Sequence, residues 1–236
     1  MSEITNEFGQ PIGPDVEGWQ GAARPSRSPM KGRYCTLEPL DVEAHAEDLF
    51  DAYSADPEGS LWTYMPVGPF TSRQALDAYL SSASESEDPI FFAIVDLSTG
   101  KALGLATFMR IKPDAGVIEV GNISYSPTLQ RTAMATEAMF LMMARAFDEL
   151  GYRRYEWKCD ALNAASRRAA DRLGFSFDGI FEQALVYKGR NRDTAWYSIL
   201  DRDWPRLKRA YEQWLNSKNF DDKGRQRQSL ASFMAP

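Results

Sequence analysis

The segment from Val117 to Leu150 constrains this chain more than any other. Val117 to Ser124 is a β-rich run, and a helical pattern extends from about Ala133 to Leu150. Between them lies a short polar loop, Tyr125-Ser126-Pro127-Thr128-Leu129-Gln130-Arg131-Thr132. A strand that passes through such a loop into a helix offers a place for an anion. The first helical turn carries N–H groups with no partner, and the helix dipole puts partial positive charge there. Ala133 and Ala135 are small enough to let a phosphate come close. An ordinary strand-to-helix junction would also favour small residues, so the surroundings have to decide.

Those surroundings predict an α/β domain. Tyr34 to Leu37 reads as a strand. Asp41 then caps a helix whose Ala44, Leu49, Phe50 and Tyr53 fall near helical spacing. Thr71 or Ser72 caps a second helix through about Ser82. Pro89 to Val95, Leu103 to Ile111 and Val117 to Tyr125 are linked by tight turns, which makes an antiparallel meander. In the long helix Ala135, Met139, Met142, Ala146 and Leu150 share one face, and Gly151 stops it. Arg154 to Cys159 is a strand, so strand, helix and strand form a parallel crossover. Asn163 caps a short helix, Ala164 to Leu173. Phe175 to Tyr187 and Thr194 to Leu200 follow as strands, and Trp204 to Leu215 as a terminal helix. The expected product is a mixed, mostly antiparallel twisted sheet with helices on both faces. Residues 1–31, rich in Gly and Pro, read as an extended arm with Trp19 as an anchor. Residues 32–216 form the domain, and 217–236 a polar tail expected to be loose.

Composition removes several classes. The net charge of −6 argues against a direct nucleic-acid binder. No apolar run reaches the ~18 residues needed to span a bilayer, so no membrane partner is expected. The N-terminus lacks the basic and apolar regions of a secretory signal, which makes the cytoplasm the expected location. Cys35 and Cys159 fit neither a disulfide framework nor zinc spacing, so no metal is expected. A single histidine, His45, rules out chemistry that needs two. Neither a GxGxxG nor a Walker motif is present, which disfavours a nucleotide-binding enzyme.

Three stretches carry a resemblance. The first is Gln130-Arg131-Thr132-Ala133-Met134-Ala135, followed by Thr136-Glu137-Ala138. The second is Asn163-Ala164-Ala165-Ser166 with Arg172-Leu173-Gly174-Phe175. The third is the aromatic segment Leu61 to Phe70, which either packs a small core of its own or walls an acceptor pocket. In this order they resemble the GNAT superfamily of acyl-CoA N-acyltransferases, and within it the RimJ/RimL-like, ribosomal-protein N-terminal acetyltransferase type. The resemblance spans about Gly32 to Leu200. It implies the GNAT fold, acetyl-CoA as cosubstrate, and direct transfer in a ternary complex to an amine, either a small molecule or a peptide N-terminus.

It also implies roles. Backbone groups of Ile123 and Tyr125 would hold the pantetheine arm. N–H groups of Gln130, Arg131, Thr132, Ala133, Met134 and Ala135 would hold the pyrophosphate, with Thr136 nearby. Asn163 would touch the pantetheine or phosphate side, and Ser166 would lie near the thioester sulfur. Ala133 stands where the family usually has glycine, which is harmless only if that residue is helical.

Acyl transfer to an amine needs a base, because an alkyl ammonium ion with a pKa of about 10 must lose a proton before attack. Glu119 is the first candidate, since partial burial would raise its pKa toward neutrality; its other reading is a partner for Lys158. Asp160 and Glu182 come second. Ser166 is the first candidate to protonate the departing thiolate, although it could simply support the Asn163 cap; Tyr187 and Tyr197 are alternatives. Arg167, Arg168 and Arg172 face either phosphates, an acidic acyl group such as succinyl, or solvent. Gln183-Ala184-Leu185 lacks the glutamate that relatives of the RimJ/RimL type carry there, which weakens the case for a ribosomal substrate. A non-catalytic acyl-CoA sensor remains the competing reading, and a homodimer through the arm or terminal helix is compatible with the sequence.

Overall fold

The computed structural model describes residues 4–234, so the first three residues of the predicted arm and the last two of the predicted tail lie outside it. Its centre is an eight-stranded sheet in the order β1-β2-β3-β4-β5-β6-β8-β7. The strands are β1 (Met30–Lys31), β2 (Cys35–Pro39), β3 (Ile90–Asp96), β4 (Ala102–Lys112), β5 (Val117–Tyr125), β6 (Arg154–Asp160), β7 (Ser176–Tyr187) and β8 (Arg190–Leu200). Only β5 and β6 pair in parallel. The predicted mixed sheet, with its single parallel crossover, is therefore observed.

Helices cover both faces. α1 (Val42–Ser54) and α2 (Arg73–Glu85) pack Leu49, Tyr53, Leu76 and Leu80 on one side, against Phe91, Ala93 and Leu105. α3 (Ala133–Ala144), α4 (Ala164–Arg172) and α5 (Trp204–Trp214) pack Met139, Met142, Ala170, Leu207 and Tyr211 on the other. The predicted caps hold at Asp41, Ser72 and Asn163, whose side chains each accept a backbone N–H in the first turn, and Thr132 does the same for α3, a cap the sequence reading did not name. The long predicted helix changes pitch at its end, where Arg145–Glu149 forms a π turn before Gly151. There the Arg145 guanidinium binds the Ser28 and Pro29 carbonyls of the arm.

The feature that positions the site is a divergence. β5 and β6 pair from Val117↔Arg154 to Val120↔Trp157, and no further. β5 continues along β4 through a bulge between Gly121 and Ser124, where Asn122 takes a left-handed φ of 46°. A bulge bends and twists its strand, so β5 turns away from β6 and a gap opens between their C-terminal ends.

Two terminal segments are better fixed than composition implies. Trp19 anchors the arm by donating from Nε1 to the Asp114 carbonyl at 2.8 Å, with the Arg153 guanidinium over its ring. The expectation of a loose tail is corrected. Asn219 is buried and binds the Trp214 and Gln228 carbonyls, Gln226 accepts from Trp214 Nε1, and α6 (Leu230–Met234) buries Leu230. A few specific anchors outweigh the polar average of the segment.

Candidate active site

A cavity of about 1770 Å³ follows the gap between β5 and β6. That exceeds the usual range of roughly 300–1,000 Å³ for one small ligand, so it has room for a large molecule and a second one. One end is walled by the start of α3, by α4 and by the tail; the other by Leu61, Tyr64, Met65 and Pro66 and by the β7–β8 hairpin. The Leu61–Phe70 segment therefore does both things open to it. Trp62 is buried against Tyr53 and Phe70, while its neighbours wall the cavity.

At the α3 end, Thr132 caps the helix by accepting the Ala135 N–H at 3.0 Å, and the Gln130 N–H goes to the Ser126 carbonyl. Among the described residues, the N–H groups of Arg131, Thr132, Ala133 and Met134 have no protein acceptor. The predicted cradle thus narrows from six amides to the middle four. The left-handed residue of the turn is Arg131, with φ of 62°, and Ala133 is the first helical residue. A methyl at 133 is accordingly unstrained, and the cradle fits a diphosphate. The Met134 side chain packs on the core rather than into the cavity. Replacing Ala133 by Glu is expected to weaken acetyl-CoA binding about fivefold, because a like charge at the cradle costs on the order of 1 kcal/mol. Unliganded stability should hold, since an acid in the first turn suits the dipole. Calorimetric titration beside a melting curve checks both.

The two predicted motifs meet here. Arg172 Nη1 donates to Thr136 Oγ1 at 3.1 Å and lies 5.3 Å from the Trp214 ring. Of the three arginines of α4, Arg172 is the one in the cavity wall; Arg167 instead binds the Tyr197 hydroxyl. Asn163 lines the cavity but spends its side-chain oxygen on the Ser166 N–H. Ser166 Oγ accepts from Trp157 Nε1 at 3.0 Å, so its own proton remains to be given. Ile123 and Tyr125 lie on the diverging part of β5; the Tyr125 carbonyl already accepts one bond from the Gln130 side chain.

Glu119 lies at the floor of the gap, one residue before the pairing ends, and is only 4% exposed. Lys158 Nζ sits 2.8 Å from its Oε2, close enough for an ion pair but not aligned for a hydrogen bond. Lys158 is shared with Glu156 at 2.7 Å and covers the Trp196 ring at 3.7 Å. Arg110, on a bulge of β4, stands 3.6 Å away. Burial pushes the Glu119 carboxyl up, and Lys158 and Arg110 only partly pull it back. Asp160 is buried but committed: it accepts from the Tyr187 hydroxyl at 2.9 Å and from the Leu162 N–H. Burial first, and then Asp160, push the Tyr187 phenol up to about 12, so it stays protonated. Glu182 is exposed at the outer rim. Burial raises the Cys159 thiol, which disfavours a thiolate nucleophile there.

Sequence reasoning missed Arg110 and the tail. Phe220, Gly224, Arg225 and Gln226 reach the α3 end of the cavity through contacts that no local pattern signals.

Comparisons agree with this architecture. A family model described as an acetyltransferase (GNAT) domain matches residues 35–176. An uncharacterized N-acetyltransferase, p20, from Bacillus licheniformis is 27% identical over 172 residues, covering 72% of this chain and 94% of that one. A GCN5-related N-acetyltransferase from Brucella melitensis is 47% identical, with a TM-score of 0.91 over 93% of this chain and 99% of the other. Microcin C7 self immunity acetyltransferase MccE, solved with acetyl-CoA and AMP, shares the fold at a TM-score of 0.63 and 19% identity, over 72% of this chain and 93% of its own.

Proposed function

The chain belongs to the GNAT acetyltransferase family, and on that premise we propose that it moves an acetyl group from acetyl-CoA directly to an amine, with Glu119 as the base. The observation that carries the reading is the pairing of an open amide cradle with a buried carboxylate along one cavity. Acetyl-CoA, when bound, supplies the acetyl group as a thioester. The N–H groups from Arg131 to Met134 would hold its diphosphate, and Ile123 and Tyr125 its pantetheine arm. Glu119, raised by burial, is a stronger base than an exposed glutamate and would be the group that takes a proton from an incoming ammonium ion. Ser166 retains a proton to give, whereas the Tyr187 proton is already held by Asp160. The raised Cys159 thiol and the lone histidine favour transfer without a covalent enzyme intermediate.

A cytoplasmic enzyme is the matching setting, and no helix of the described residues is long and apolar enough to cross a membrane. The acceptor is to be sought first among small amines, because Leu185 stands where the RimJ/RimL type carries a glutamate. The test is thermal unfolding with acetyl-CoA. At about 100 times its dissociation constant it should stabilise the fold by ~2.7 kcal/mol, while a nicotinamide dinucleotide should not. Equal or absent shifts would sink the reading.

A further inference from the structure

The outer half of the cavity contains a polar row that the proposed chemistry does not use. Arg192, Thr194 and Trp196 alternate along β8, so they share one face, and all three line the cavity. Each carries a buried polar atom with no hydrogen-bond partner: Arg192 Nε, Thr194 Oγ1 and Trp196 Nε1. Thr194 is only 4% exposed. Buried polar atoms are nearly always paired, so three orphans in one row call for an explanation. All three can donate, and two of them can only donate.

The charges around the row sharpen its meaning. Glu119 is bracketed by Lys158 and Arg110. Asp160 is occupied by Tyr187 and the Leu162 N–H. Asp56 accepts from Ser60 and the Leu61 N–H, and Lys188 donates to the Trp62 carbonyl. Arg192 differs. Its guanidinium lies 5.8 Å from the Tyr187 ring and, among the described residues, takes part in no ion pair. A half-buried guanidinium without a counter-charge is costly, and its planar fork matches a carboxylate. The flanking surface is apolar, with Phe181 stacked on Trp196 at 4.4 Å and Leu185 beside Arg192 in the ladder.

We propose that Arg192, with Thr194 and Trp196, binds a carboxylate on the acceptor, which makes the acceptor an amino acid or a similar amine carrying a carboxylate beside an apolar group. This rests on the acetyltransferase reading of the same cavity. The carboxylate takes the charge of Arg192, the apolar part lies on Phe181 and Leu185, and the amine is turned toward Glu119.

The test uses the full chain and N-acetylphenylalanine, the product such an acceptor would give, beside its primary amide, which differs by the charge alone. Titration calorimetry with CoA present should show the acid binding at least tenfold more tightly than the amide. Arg192→Gln should collapse that ratio to near one, and Arg192→Lys should restore part of it. Thr194→Val should lower the acid's affinity a few-fold, and serves if the arginine variants do not fold. Thiol release from acetyl-CoA with phenylalanine and with phenylalaninamide gives the parallel ratio in turnover. Equal binding of acid and amide by the wild-type chain, or a ratio unmoved by Arg192→Gln, overturns the inference. Thiol release without discrimination leaves the acetyltransferase reading standing and removes this one. Absence of both thiol release and acetyl-CoA stabilisation removes the two together.

Discussion

Glu137→Ala is expected to cost about 3–5 kcal/mol of stability, the range for breaking a buried charged contact. Glu137 sits in α3 and is buried at 4% exposure. Its carboxylate accepts three consecutive backbone N–H groups, from Arg33, Tyr34 and Cys35, at 2.7, 2.6 and 2.9 Å. These amides run through the β1–β2 turn into the first residue of β2, so one side chain ties the start of the sheet to the helix that carries the phosphate cradle. Truncation to alanine leaves three N–H groups without their acceptor and a void beside them. For a chain of this size the loss corresponds to a fall in Tm of roughly 10 °C. Glu137→Gln should cost less, because an amide oxygen still accepts but without charge. Gly32→Ala should resemble Glu137→Ala, since a methyl at Gly32 would overlap the carboxylate. A melting curve for each variant is sufficient. An alanine variant within about 1 kcal/mol of wild type would mean that water replaces the carboxylate, as it does at exposed sites.

The Glu137 contact shows where sequence reading ran out. The caps at Asp41, Ser72 and Asn163 were legible because each is a local rule: a small polar side chain and an N–H three residues on. The meander was legible because turn chemistry sits between apolar runs. Glu137 was not, because its partners lie 102 to 104 residues away and nothing near it marks a nest of amides. The gap itself was legible only through a resemblance. Its physical cause, a bulge with left-handed Asn122, breaks no obvious pattern in Val120-Gly121-Asn122-Ile123. The β8 row was lost to a boundary. The strand was expected to begin at Thr194 but begins at Arg190. That placed Arg192 in a loop, whereas alternation from Arg190 onward would have set Arg192, Thr194 and Trp196 on one face. The tail failed for the opposite reason: composition averages away a single buried Asn219 and Leu230.

Glu119→Gln is expected to lower turnover by about 10²–10⁴-fold, the usual contribution of a general base. The same change separates the catalytic reading from the structural one. If Glu119 served only as a partner for Lys158, its neutralisation would break a buried ion pair and destabilise the fold. The raised carboxyl argues the other way. A carboxyl whose folded pKa lies above its unfolded value of about 4.3 holds its proton more tightly when folded, so ionising it costs stability. That cost is absent below the unfolded value. It accrues as pH rises through the window up to the raised folded value, and persists above it. Glutamine does not ionise, and Lys158 keeps Glu156 at 2.7 Å. The variant should therefore match wild type in acid, and equal or exceed it at neutral pH, while turning over far more slowly. In wild type kcat/KM should fall tenfold per unit as pH drops below the raised carboxyl value, because the base must be unprotonated, and this limb should vanish in the variant. Acetyl-CoA binding should change little, since the cradle lies on α3. A variant that melts early at neutral pH and keeps its acid limb would return Glu119 to the ion-pair network and pass the role of base to Asp160, whose carboxylate already holds the Tyr187 hydroxyl.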